Sequence, residues 1–282
     1  MQNQPPAYGY NQVPMGAITT QPGVQVPAVP GAVWMPMPQP MSGVPAGLEY
    51  LTYLDHVVVK QIKELLEIMT DWETKNRYVL RNANGQQAYY AFEESSCCER
   101  QFCGNQRGFV MHIVDNFKRE VLTITREFKF CGGGCGGCFA CIGCCQQEAK
   151  IISPAHGVLG EIRQRGACMA SCFDVLDADG NVILKIDGPC CCNMIGCNDK
   201  EFPIKTNGGE TIGAITKKWG GCFREAFTDA DVFQVNFPMD LDVKIKGVLL
   251  GATFLIDFME FEQQSNNRSN DSRPFFNFSS TN

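Results

Sequence analysis

The apolar positions of this chain recur in two rhythms, and the change between them predicts the architecture. From residue 78 to residue 215, short apolar runs alternate with turns rich in Asn, Asp and Gly. Residues 78–80 lead through Asn84-Gly85 to residues 88–92, and residues 109–114 lead through Asp115-Asn116 to residues 121–130. Residues 173–176 lead through Asp179-Gly180 to residues 182–186, and residues 202–205 through Asn207-Gly208-Gly209 to residues 211–215. Asn-Gly and Asp-Gly are strong hairpin signals because the turn residues take positive φ. Hairpins at this spacing predict a mostly antiparallel β domain, and closing it into a barrel removes its exposed edges.

The second rhythm comes last, in residues 238–261 (PMDLDVKIKGVLLGATFLIDFMEF). Its uninterrupted apolar part, residues 247–256, is shorter than the ~20 residues of a bilayer-spanning helix. At about 100° per residue, Asp242, Lys246, Thr253, Asp257 and Glu260 share one stripe of a helix, with Gly247 and Gly251 opposite. Asp242 and Lys246 are spaced to pair. The favoured reading is a buried helix that starts near Asp240, whose carboxylate caps it, and that fills the barrel. A membrane span is a second reading of the same stretch. A strand is a third, because Leu241, Val243 and Ile245 alternate with Asp242, Lys244 and Lys246.

Residues 47–72 stay open between two elements. Leu51, Leu54, Val58, Ile62, Leu65, Leu66 and Met69 recur at helical spacing, whereas the β-branched Val57-Val58-Val59 argues for a strand over residues 55–61. Residues 1–46 are rich in Pro, Gly, Gln and Met, almost uncharged and without period, which predicts a disordered tail with polyproline II character. Within it Pro5, Pro6 and Tyr8 form a PPxY string, the form that WW domains take on an aromatic-lined groove. The domain spans residues 47–262 with its helix at about 240–262, and residues 263–282 read as a polar disordered tail. Asn267, Asn270 and Asn277 there stand in N-x-S sequons.

Charge narrows the function classes. A net charge of −6 argues against wholesale nucleic-acid binding, which wants a basic surface. The chain carries 16 cysteines. Its polar, Pro-rich start does not have the form of a signal peptide, so a reduced, cytosolic chain is expected. The densest group is Cys131, Cys135, Cys138, Cys141, Cys144 and Cys145, set among glycines. Overlapping C-x-x-C pairs can bind zinc, but the Gly/Cys/apolar setting suits reversible S-palmitoylation, and two or more acyl chains give stable anchoring. Cys190, Cys191, Cys192 and Cys197 form a smaller echo.

Residues 229–240 offer an oxygen at positions one, three, five, seven and twelve: Asp229, Asp231, Phe233 and Val235 through their carbonyls, and Asp240. Hard Ca²⁺ takes such carboxylates and carbonyls. Gln234 stands where an EF-hand loop has its Gly, and a strand over residues 232–237 is the competing reading. His56, His112 and His156 are scattered without metal spacing, and no phosphate loop or nucleophile elbow is seen. Asp174, Asp177 and Asp179 shape a turn. Nothing in these patterns points to an enzyme.

Several longer strings carry a resemblance. GLEYL at residues 47–51, ELLE at 64–67, WETKNRY at 72–78, REAFTDAD at 224–231, FPMDLDVKIK at 237–246 and the following GATFLIDFMEFE are similar to the phospholipid scramblase family. The resemblance runs over residues 47–262. It implies a tubby-like closed antiparallel β-barrel of twelve strands around a central C-terminal helix, behind a Pro-rich tail. It also implies a multiply palmitoylated cysteine cluster, here Cys135, Cys138, Cys141, Cys144 and Cys145 ahead of Gln147-Glu148. A Ca²⁺ loop is implied at Asp229, Asp231, Phe233, Val235 and Asp240, although Gln234 and Val232 replace the Gly and Asn usual there. The implied activity is Ca²⁺-activated, ATP-independent, bidirectional movement of phospholipids between leaflets, which collapses membrane asymmetry. The implied location is the plasma membrane, held at its cytoplasmic face by acyl chains or crossed once with the N-terminus cytoplasmic. Residues 213–219 (GAITKKW) keep part of a basic import string found in some members. The alternative is a palmitoylated adaptor that gathers WW-domain partners at the membrane without moving lipid itself.

Overall fold

A computed structural model describes residues 33–62, 76–94, 108–129, 142, 145–190, 198–219 and 231–261. Twelve strands close into one antiparallel barrel: β1 (His56–Gln61), β2 (Arg77–Arg81), β3 (Gln87–Glu94), β4 (Phe109–Val114), β5 (Glu120–Arg126), β6 (Glu148–Ser153), β7 (Gly157–Arg165), β8 (Ala170–Asp177), β9 (Val182–Cys190), β10 (Lys200–Thr206), β11 (Thr211–Lys218) and β12 (Val232–Asn236). Each strand pairs with its neighbours in sequence, and β12 closes the ring on β1 through His56↔Asn236 and Lys60↔Val232. The expected closed antiparallel barrel, with its twelve strands, is observed.

All four expected hairpins form. The turns at Gly85, Gly180 and Gly209 use glycines with φ of +77°, +83° and +88°, where a side chain would be strained. A fifth hairpin, β6–β7, turns through residues 154–156, which carry no Asn-Gly or Asp-Gly signal. The open segment after residue 47 resolves into two elements: a short 3₁₀ helix (Glu49–Tyr53) and then strand β1. Ahead of it, part of the stretch assigned to the tail lies against the barrel. Met35 N donates to Gln87 O at 2.9 Å, and Gln87 N donates to Val33 O at 2.8 Å.

Helix α1 (Val243–Ile256) runs through the barrel and widens into a π-helical turn (Asp257–Phe261). It begins three residues later than expected, and Asp242 rather than Asp240 caps it, accepting from Lys244 N at 2.7 Å. The reason is local. Leu241 N bonds back to Pro238 O in a turn, so the chain becomes helical only after the extended Asp242. Side chains from Val248 to Ile256 are buried, and α1 packs against β5, β6, β7, β8 and β12. A Cβ on Gly251 would lie 2.5 Å from Ile151 Cγ1, so the side chains of the wall close on the helix there.

Inward positions of the wall are mostly apolar, and many outward ones are polar. Val57, Val59, Leu122, Ile124, Phe173 and Val175 face the helix, while Lys60, Thr123, Thr125 and Asp174 face out. A transmembrane β-barrel has the reverse pattern, with its apolar band outside. Among the described residues, no helix is long and apolar enough to cross a membrane. The 14 residues of α1 rise only about 21 Å at 1.5 Å each.

Candidate functional site

The strand order gives the barrel two unlike mouths. At one, five short hairpins turn, the chain enters α1, and the 3₁₀ helix lies close by. At the other, the long connections leave the barrel: residues 62–76, 95–108, 127–147, 191–199 and 219–231, with only the short link 166–169 among them. All 16 cysteines fall in sequence within the connections that depart from this second mouth, or at strand ends that meet them. Cys97, Cys98 and Cys103 fall in sequence between β3 and β4, the main cluster between β5 and β6, Cys168 between β7 and β8, and Cys222 between β11 and β12. Cys191, Cys192 and Cys197 fall between β9 and β10, while Cys172 and Cys190 sit at strand ends that meet those connections. The sequence could not show this grouping, because the cysteines span more than 120 positions.

Of the expected acylation residues, Cys135, Cys138, Cys141 and Cys144 lie outside the described residues. Cys145 is described and buried, with its N–H on Ile142 O at 2.8 Å. Cys168 and Cys190 are exposed thiols at the same mouth. Pro5, Pro6 and Tyr8 of the PPxY string also lie outside the described residues, as does Asp229.

The rest of the expected calcium set is described, and it does not converge. Asp231 stands at the second mouth, where β12 begins. Phe233 and Val235 lie within β12, side chains inward and buried, main chains registered with Val59 and Val57 of β1 and with Lys217 and Ile215 of β11. Asp240 comes after β12, at the hairpin mouth beside the start of α1. Residues 231 to 236 alone extend about 16 Å at ~3.3 Å per residue, whereas Ca²⁺ holds its oxygens at about 2.3–2.6 Å. The alternative strand reading of this stretch is the one realised. Asp231 already has a cation: Lys217 Nζ lies 2.9 Å from its carboxylate. Lys217 Nζ also sits 3.9 Å from the ring centre of Phe261 and 5.3 Å from that of Phe233. The described residues therefore do not fit a single calcium sphere in this conformation. No group of three or more His, Cys, Asp or Glu among them is placed to hold a metal.

The polar stripe of α1 is where the chain spends its buried hydrogen bonds. Lys246, fully buried, does not pair with Asp242. Its ammonium donates to Leu51 O at 3.0 Å, Leu54 O at 2.8 Å and Met239 O at 2.7 Å. Burial pulls it below its ordinary lysine value, and Asp55 and Asp240 partly oppose that. Thr253 Oγ1 donates to Leu249 O at 3.0 Å. At the far end, Tyr78 OH donates to Asp257 Oδ2 at 2.7 Å, and Ser171 Oγ donates to Glu260 Oε1. Burial pushes the Glu260 carboxyl above its ordinary value, against the Ser171 hydrogen bond that favours the charge. Buried side chains ring this mouth further out, with Asn76 donating to Glu93 at 2.6 Å and Arg126 Nη2 to Gln147 at 2.6 Å. Sequence reasoning named the stripe but not its partners, which lie 89 to 195 positions away in Ser171, Tyr78 and Leu51 or seven away in Met239.

The basic string at residues 213–219 is built into β11. Besides Lys217, Lys218 Nζ pairs with Asp199 at 2.8 Å, and Trp219 N donates to the same carboxylate at 2.9 Å.

The described geometry matches what the resemblance implied for the fold, and comparison with known proteins extends it. The Scramblase family model matches residues 35–263. Phospholipid scramblase 1 of Mus musculus is 42% identical over 252 residues, covering 88% of this chain and 74% of that protein. Phospholipid scramblase 1 of Homo sapiens is 43% identical over 234 residues, 82% of this chain and 71% of that one. The human phospholipid scramblase family member 5 is 40% identical, covering 81% and 83%. No solved structure gives a significant match. A match that takes in the whole described barrel and its central helix, with relatives alike at two residues in five, shows that the chain belongs to the phospholipid scramblase family.

Proposed function

We propose that this chain moves phospholipids between the two leaflets of a membrane, in both directions and without ATP, under the control of calcium. The observation that carries the reading is family membership over the whole barrel and helix, residues 35–263. Calcium control and ATP independence enter with the family resemblance, and no described residue is assigned to them. The membrane is the plasma membrane, and the chain sits at its cytoplasmic face on acyl chains carried by Cys135, Cys138, Cys141 and Cys144. Cys145, buried in the described barrel, joins them only if the start of β6 opens. The grouping of all cysteine-bearing connections at one mouth supports this anchoring, since several chains at one end hold the barrel in one orientation.

The decisive experiment places the full-length protein in vesicles with leaflet-labelled phospholipid and follows exchange with calcium, with chelator, and with or without ATP. Exchange that rises with calcium and ignores ATP is the expected result. No exchange above protein-free vesicles, with the protein folded and membrane-attached, would overturn the reading.

One observation favours a second reading. The barrel is filled by α1 and apolar side chains, so the described residues offer no hydrophilic track through its interior. On that reading the chain is an acylated adaptor that gathers WW-domain partners through Pro5, Pro6 and Tyr8. Loss of partners in Tyr8→Ala, with lipid asymmetry unchanged, is its signature.

A further inference from the structure

We infer that Lys217 is the resident cation of the segment that the sequence offers to calcium, and that Asp231 serves the barrel rather than an ion site. The argument starts from what surrounds the Lys217 ammonium. The Asp231 carboxylate lies 2.9 Å away, and the rings of Phe261 and Phe233 face it at 3.9 Å and 5.3 Å. A carboxylate together with two aromatic faces is a set that stabilises a positive charge, most strongly where water is partly excluded. The Lys217 side chain is only 15% exposed. The position beside Asp231 is therefore taken by a cation that the chain supplies itself.

The four residues of this cluster come from three different places. Lys217 lies near the end of β11, Asp231 just before β12 and Phe233 near its start, and Phe261 is the last residue of the π-helical turn. The register that sets Lys217 opposite Phe233 directs both side chains inward, onto the end of the central helix. Phe261 also meets the edges of the Phe202 and Phe233 rings, with centres 6.4 Å and 5.7 Å apart. Lys217 thus fastens β11, β12 and the C-terminal end of the helix at one point. An ion taking Asp231 would compete with Lys217 for the same carboxylate, and it would find neither Phe233 nor Val235 with a carbonyl outside the sheet register. In this role Asp231 is a positioning residue for the mouth.

This inference concerns only the calcium part of the proposed function, and its test reads binding rather than transport. Calcium chloride is titrated calorimetrically into the full-length protein and into Asp231→Asn. The expected result is the same calcium isotherm for both, whether it shows binding or none. A loss of about tenfold or more in affinity in Asp231→Asn, roughly 1.4 kcal/mol, would overturn the inference. The second measurement is a thermal double-mutant cycle of Asp231→Asn, Lys217→Met and the pair in calcium-free buffer. Coupling is expected, with the double variant melting no lower than the worse single one. Independent, additive losses would show that Lys217 and Asp231 do not act together and would equally defeat the assignment. Failure of lipid exchange in vesicles would touch neither measurement.

Discussion

The two ends of the central helix bury charge in different ways. At the hairpin mouth, one cation, Lys246, is saturated by three main-chain carbonyls, one from the 3₁₀ helix ahead of β1 and one from its C-cap, Leu54. Those acceptors belong to the backbone and cannot rotate away. At the connection mouth, Asp257, Glu260 and Phe261 meet the side chains of Tyr78, Ser171 and Lys217, each at the end of a strand. Side-chain partners can be exchanged for others at modest cost, whereas a buried backbone group left without a partner costs its full desolvation. The hairpin mouth is thus built as a fixed joint. The connection mouth, from which every cysteine-bearing segment departs, is held by contacts that can be remade.

The largest expected effect tests the fixed joint. Lys246→Met keeps the aliphatic stem and removes the ammonium from three carbonyls, and urea unfolding should show a loss of about 2–3 kcal/mol. A loss below about 0.5 kcal/mol would mean that those carbonyls find other donors and that the joint is no firmer than the opposite end.

Next comes the wall between the two ends. In Gly251→Val the added atoms press on Ile151, already 2.5 Å from the first of them, and overpacking should cost about 1–3 kcal/mol. One turn earlier, a Cβ on Gly247 meets Leu122 and Leu159 at 3.5 Å and 3.7 Å, ordinary contact distances. Gly247→Ala should therefore be neutral or more stable by up to about 1 kcal/mol, from helix propensity alone. Equal losses in both would show that the wall closes on the helix evenly along its length.

A smaller effect probes the remade contacts. Tyr78→Phe removes one hydrogen bond to Asp257 and should cost about 1 kcal/mol by the same unfolding assay. A cost as large as that of Lys246→Met would erase the difference between the ends.

The smallest effect is a change of slope. The raised value of Glu260 means that the folded protein holds a proton there which the unfolded chain has already released. Its contribution to stability is greatest below the unfolded carboxylate value and falls as pH rises toward the folded one. Glu260→Gln should flatten that fall and leave the variant slightly the more stable at neutral pH, read from unfolding midpoints across the acid range. An unchanged pH profile would place the effect on another group.

The hairpins were legible because their determinants are local. An Asn-Gly or Asp-Gly turn between apolar runs carries its φ requirement in two adjacent residues, and β2–β3, β8–β9 and β10–β11 formed where those pairs stand. Hairpin β6–β7, turning through Pro154-Ala155-His156, lacked that signal and went unread. The segment around Val57-Val58-Val59 stayed open because β-branching argued against a helical period. Pairing of β1 with both β2 and β12 resolved it. The calcium set was read from spacing in a loop, and spacing is blind to extension. Once Val232–Asn236 is a stave, positions that alternate in sequence alternate across a sheet, and Asp231 and Asp240 end at opposite mouths.

By itself, then, the amino-acid order determined the antiparallel hairpins, the apolar helix at the end and the polar stripe on that helix, since each depends on neighbours a few residues apart. Membership of the family was legible in the same way, from strings of adjacent residues. Only the tertiary structure decided which groups answer the stripe, that Asp242 rather than Asp240 begins the helix, and that Lys217 stands beside Asp231. Only strand order gathers the cysteine-bearing connections at one mouth. The physical reason is common to all of these. A buried charge needs a partner within about 3 Å, and ring closure brings to that distance residues that the chain itself separates by up to 195 positions.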